Sequence, residues 1–320
     1  MSLREAERGA IALSLLAAAL FAAMAMGVRS LSGRIPGPQI ASVRFATGLV
    51  VVALVGVLGR VDLRPRRWGW LTSRGIAGGL AVVSYFACIE HIGVGVATLL
   101  NHTGPVWSLL FAWILLRESP RPRALFALAL TMAGVLLVVG RAGGAEASSS
   151  PWRLGLWEAV GIFSAVTTGI AITSIRAVRR PRPDGQEGVH TVEGSWTVFF
   201  SFTALGLLST LPWVVGRWVA PSPRDWLVLL AAALTSIAAQ LAMTRALAHV
   251  TAVGSGVVLQ LTPVLSLLGG VVLFGEVLSP RALVGALLTM AGVVWMVLAA
   301  GPSSSGASPG VTPPVQRPPR

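Results

Sequence analysis

Pro122-Arg123-Ala124-Leu125, followed by Thr131-Met132-Ala133-Gly134-Val135, returns in the second half of the chain as Pro280-Arg281-Ala282-Leu283 and Thr289-Met290-Ala291-Gly292-Val293. The same shift aligns Glu118 with Glu276, Pro105 with Pro263 and His91 with His249. From Glu118 to Val135, about eleven of roughly eighteen positions are identical in the two copies, more than apolar composition alone supplies. The unit is about half the chain, too long for a solenoid repeat, so it reads as a duplicated module.

Working outward, the duplicated segments sit in long uncharged runs. The chain has 320 residues, 54% hydrophobic and only 12% charged, against roughly 25% charged in soluble domains. That excludes a single soluble core. The net charge is +13, and all 25 basic residues are arginine. They cluster in short gaps between apolar runs, so the charge points to a membrane surface and not to nucleic acid. The single cysteine, Cys88, lies inside an apolar run and allows no intramolecular disulfide.

Ten runs, about 9–28, 39–59, 68–90, 93–116, 122–140, 154–176, 195–216, 225–248, 250–275 and 281–300, approach the ~20 residues a helix needs to cross hydrocarbon. The first is read as a retained span and not a leader, because the duplication needs a first helix to match the sixth. The sequence thus predicts an all-α membrane protein with ten transmembrane helices. Its expected parts are a cytoplasmic N-terminus (1–8), a first five-helix repeat (9–140), a linker (141–153), a second repeat (154–300) and a Pro/Ser-rich disordered tail (301–320).

With the N-terminus cytoplasmic, about fifteen arginines fall inside and about seven outside, which obeys the positive-inside rule. Both termini are then cytoplasmic, in an inner (plasma) membrane. Five spans per repeat is an odd number, so the second repeat must insert upside down. Matching loops should therefore carry opposite charge bias. Arg60, Arg64, Arg66 and Arg67 indeed face only Arg217 and Arg224, and the few arginines after the first span face the cluster Arg176, Arg179, Arg180 and Arg182. Two inverted five-helix repeats follow.

Polar groups deep in hydrocarbon are costly and mark candidate sites. Span four reads Asn101-His102-Thr103-Gly104-Pro105, and its mate reads Leu259-Gln260-Leu261-Thr262-Pro263. His102 and Gln260 are equivalent positions near mid-span. Pro105 and Pro263 each lack an N–H and free the carbonyl four residues back, for a solute or for a neighbouring helix. His102 is the proton-coupling candidate, since imidazole titrates near neutral pH; the alternative is a neutral ring hydrogen-bonded to Asn101 or backbone. Tyr85, Gln240 and Thr244 complete the candidate solute site, with Trp107 less favourably directed and the Ser and Thr hydroxyls otherwise serving helix packing.

Arg44, Arg74 and Arg245 fall within spans, each within two turns of an end, so snorkelling to the interface is the expectation. If one is functional, Arg44 or Arg245 is the choice as counter-charge for a carboxylate, with Glu90 and Glu158 as alternative partners of Arg44. Glu118 and Glu276 are expected to cap the following helix or pair with Arg123 and Arg281. No Walker A loop, metal-ligand cluster, nucleophile elbow or paired-carboxylate site is present, so neither enzyme chemistry nor a cofactor or metal is expected. A membrane-embedded enzyme, a lipid-handling protein and an uncoupled channel-like permease are the competing readings. Homodimerisation is left open.

Pro263-Val264, then Phe274-Gly275-Glu276, then Ser279-Pro280 and Gly292 resemble the EamA-type branch of the drug/metabolite transporter superfamily. The resemblance runs from Gly9 to about Ala300. In the first copy Arg117 stands where glycine is expected before Glu118. The resemblance implies two inverted five-helix repeats around a central cavity and a gradient-driven carrier, usually exporting small metabolites or amino acids.

Overall fold

The computed structural model describes residues 3–59, 65–117, 122–139, 155–179, 194–246 and 259–299. The expected linker, the tail, Glu118, His190 and His249 lie outside the described residues. Among these residues the chain is an all-α bundle: α1 (Leu3–Leu31), α2 (Gly37–Val57), α3 (Trp68–Ile92), α4 (Val94–Asn101), α5 (Gly104–Leu116), α6 (Pro122–Val139), α7 (Leu156–Arg179), α8 (Ser195–Val214), α9 (Pro223–Ala246), α10 (Leu261–Phe274) and α11 (Pro280–Ala299). The first helix starts at Leu3, so it takes in most of the segment expected to precede the span.

Seven stretches among the described residues are long and apolar enough to cross a bilayer, one of them α4 and α5 together. The helices α6, α10 and α11 carry shorter apolar stretches. Large apolar side chains such as Val57, Leu136, Leu230, Leu268 and Val272 face outward. In water that surface would be prohibitive; in lipid it is the expected exterior. The chain is a multi-pass membrane protein.

Helices approach closely where side chains are small. Ala18, Ala22 and Ala25 are buried on α1, which packs on α9, and a Cβ on Gly27 would sit 3.2 Å from that of Ala232. The duplicated segment itself forms the α6–α11 contact. A side chain at Gly134 would collide with Thr289, and one at Gly292 with Thr131. The repeat motif Thr-Met-Ala-Gly therefore packs against its own copy. The other extensive pairings are α3 with α7 and α8, α2 with α8 and α9, α5 with α7, α1 with α10, and α4 with α10.

One end of the bundle is cross-tied by polar groups. Arg29, in the last turn of α1, donates to the carbonyls of Ile89 and Glu90 and pairs with Glu276 at 3.0 Å. The Glu276 carboxylate accepts from the backbone N–H groups of Val94 (2.8 Å) and Gly95 (3.2 Å). It thus caps α4, a helix of the other half of the chain, and its ion pair is with Arg29 instead of Arg281. Glu90 accepts from Gly37 N–H at 3.1 Å, at the start of α2, so it does not serve Arg44. Arg34 pairs with Asp225 at 3.0 Å, and Gln39 exchanges two hydrogen bonds with the backbone of Val219.

The turn before Glu118 keeps the geometry of its copy despite the arginine. Gly275 has φ 65° and Arg117 has φ 54°, both left-handed. Arg117 is the only non-glycine residue with positive φ among the described residues.

Candidate functional site

Span four is broken. The helix α4 ends at Asn101, His102 and Thr103 form a turn, and α5 starts at Gly104 with Pro105 in its first turn. Proline is tolerated there because first-turn N–H groups have no helical acceptor. The second copy repeats the event: Leu259 is helical, Gln260 is the turn residue, and α10 starts at Leu261 with Pro263 in its first turn. His102 and Gln260 are therefore both junction residues.

The break is held on one flank. Asn101 donates its amide to Ser164 Oγ (2.8 Å) and Thr168 Oγ1 (3.1 Å) on α7, and Ser164 donates to the Ala81 carbonyl on α3 (2.8 Å). Asn101 therefore serves α7 and not His102. Gly104 lets the junction sit against Thr168, where a Cβ would come within 2.5 Å of its methyl group. Thr98 and Tyr85 share a hydrogen bond of 2.7 Å, joining α4 to α3.

A cavity of about 310 Å3 opens beside both junctions. That is the lower end of the range ligand cavities occupy, about 300–1,000 Å3. Seven of the residues singled out from the sequence line it: Arg44, Tyr85, Asn101, His102, Pro105, Gln240 and Gln260. Pro263 is buried beside it, where its neighbour Thr262 is a lining residue. The side chains of Thr244 and Arg245 lie outside the described residues. Trp107 packs instead against Gly169 on α7.

The sequence reading missed Arg74. It is 8% exposed and lines the cavity, where snorkelling would have carried it back to the interface. Its guanidinium lies over Phe202, 4.1 Å from the ring centroid, and Arg44 approaches the same ring at 5.5 Å. Arg44 donates from Nε to Ser236 Oγ on α9. The signal in sequence was Gly78, four residues on along α3. A Cβ there would collide with Arg74 Nη1 and come within 2.9 Å of the Phe202 ring. Apolar walls are supplied by Phe21, Met24, Phe86, Ile172, Ile175 and Met243. Among the described residues no group of His, Cys, Asp and Glu is suited to a metal ion.

The EamA-like transporter family model matches this chain twice, over residues 8–140 and 155–298. The chain belongs to the EamA-like transporter family. EamA-like proteins are transporters and not enzymes, so the broken helices line a cavity in a membrane transporter. The chain is similar to the pseudopaline exporter CntI of Pseudomonas aeruginosa, with 30% identity over 77% of this chain and 80% of that protein. It is also similar to a human member of solute carrier family 35, with 26% identity over 56% of this chain and 48% of that protein. One solved crystal structure superposes with TM-score 0.57 at 20% identity, covering 90% of this chain and 96% of its own, a likeness of fold.

Proposed function

We propose that this protein is a secondary transporter that exports a small amphipathic metabolite, an amino acid or similar solute, across the inner membrane by alternating access. The observation that carries this is the coincidence of two helix breaks, at His102 and Gln260, on the wall of one cavity. Discontinuous helices at the repeat interface are how many inverted-repeat carriers build a solute site. Asn101, Tyr85, Gln240 and Arg44 supply the polar groups around it, and His102 is the proton-coupling residue.

The two five-helix halves are related as inverted copies. Supporting this, the helix pairings map onto one another when each helix is exchanged for its mate: α3–α7 with α1–α9, α3–α8 with α2–α9, and α5–α7 with α1–α10. The pairs α2–α8 and α6–α11 map onto themselves. With both termini cytoplasmic, the end tied by Arg29, Glu276, Arg34 and Asp225 is the outer end. Arg74, Ile175 and Met243 line the cavity from positions near the cytoplasmic ends of their helices, which fits a carrier closed to the outside. The export of pseudopaline by CntI supports the direction.

The test is a solute screen by counterflow in proteoliposomes, with and without a pH gradient. His102→Ala and Gln260→Ala should each abolish counterflow while insertion and folding persist. Normal transport by both variants refutes the site, and flux without counterflow makes the protein a channel.

A further inference from the structure

We infer that the transported solute is an amphipathic organic carboxylate without a free ammonium group, held by Arg44 and Arg74 above the Phe202 ring. This rests on the cavity being the transport site. Among the described residues, two guanidinium groups line it and no carboxylate does. Among the described residues, Arg44 Nη1 and Arg74 Nε are buried without hydrogen-bond partners and neither arginine forms a salt bridge.

Such groups are expensive. An arginine at mid-membrane costs about 2.5–3.5 kcal/mol on an insertion scale, and a buried cation kept only for structure is normally paired. Helical side chains lean toward the helix N-terminus, which for Arg74 is also the shorter way to the interface. Arg74 does the opposite. It runs over Gly78, deeper along α3 and into the cavity. Gly78 removes the side chain that would block that path, and Phe202 gives both cations a ring to lie on.

Two cations without a carboxylate partner among the described residues suit an anionic solute. A carboxylate between the two arginines would offset their charge, and guanidinium matches carboxylate geometry in pairs of hydrogen bonds. Phe21, Met24, Phe86, Ile172 and Met243 would take an aromatic or aliphatic body. A free ammonium group, by contrast, would be a third cation in a cavity whose remaining polar groups are neutral amides, hydroxyls and one imidazole. This narrows the solute from amino-acid-like molecules to acylated or otherwise amine-free carboxylates.

Three probes share a benzyl body and differ in charge: N-acetylphenylalanine, phenylalanine and phenethylamine. Binding of each to the purified full-length protein is measured by thermal shift and by microcalorimetry in detergent. The anion is expected to bind at least about tenfold more tightly than the zwitterion, and the amine not at all. In Arg44→Gln and Arg74→Gln the anion's advantage should fall about tenfold or more. Equal or tighter binding of the amine, no binding of the anion, or an advantage that survives both substitutions overturns the inference. The ranking on the unmodified protein stands even if a variant fails to fold. Charge preference is read from binding, so it can fail while counterflow and its loss in His102→Ala stand; normal counterflow in both His102→Ala and Gln260→Ala would instead sink the transport site.

Discussion

Glu276→Gln should loosen one end of the bundle by a calculable amount. The carboxylate accepts the first two N–H groups of α4, at 2.8 and 3.2 Å, and pairs with Arg29 at 3.0 Å. Losing an N-terminal cap costs typically about 1 and at most about 2 kcal/mol. The ion pair is partly solvated, with side-chain exposures of 25% and 13%, so it adds only about 0.2–1 kcal/mol. Glutamine keeps a carbonyl acceptor but loses the charge and the second equivalent oxygen. The net loss is then about 1–3 kcal/mol, a rise in local opening of about five- to 150-fold. Hydrogen exchange reads that directly. Peptides covering Val94 to Leu100 should exchange faster by that factor, with peptides from α8, which Glu276 does not touch, unchanged. Unchanged protection of Val94 and Gly95 would refute the cap as a source of closure.

Arg117→Gly should raise stability by about 1 kcal/mol, because a left-handed residue other than glycine is strained by about 1–2 kcal/mol and glycine's extra unfolded-state entropy returns part of that. Thermal unfolding in detergent tests it, and a lower midpoint means that the Arg117 side chain makes a contact worth more than the strain. Gly78→Ala should push Arg74 off Phe202 and weaken N-acetylphenylalanine binding about tenfold in a protein that still elutes as a folded species. Unaltered binding would mean that Arg74 has room to spare.

The helices and their approximate ends were legible because hydrocarbon imposes one simple demand, an apolar run of about twenty residues, and the chain meets it repeatedly. The break at His102 and Gln260 was legible as two prolines at one alignment position. The expectation of a carbonyl freed four residues before each proline was the smaller version of what forms, a full junction with Pro105 opening a new helix. Arg74 was not legible from its distance to the span end. Depth along a helix does not say which way a long side chain runs, and the glycine that frees its path lies on the same face four residues away. Glu276 was misplaced for a related reason. Sequence neighbours such as Arg281 are the nearest charges in the chain, but the fold brings the start of α4 and Arg29 from the other half closer.

The two arginines also constrain how a proton at His102 would act. His102 lines the same cavity as Arg44, Arg74 and Tyr85, and the Asn101 amide beside it is committed to Ser164 and Thr168. A protonated imidazole there would be a third cation facing the site. It would hold a bound carboxylate more tightly than the neutral ring does, and linkage makes the effect mutual. Proton and anion would then bind cooperatively. The binding constant of N-acetylphenylalanine should accordingly rise as pH falls through the range in which the imidazole of the complex protonates, by at most tenfold per pH unit for a single linked proton. The probe's own carboxylate stays ionised above about pH 5. His102→Gln should flatten that dependence while leaving binding at high pH nearly unchanged. Affinity that is independent of pH in the unmodified protein, or that increases with pH, would remove His102 from the coupling step and leave the arginines as the whole of the anion site.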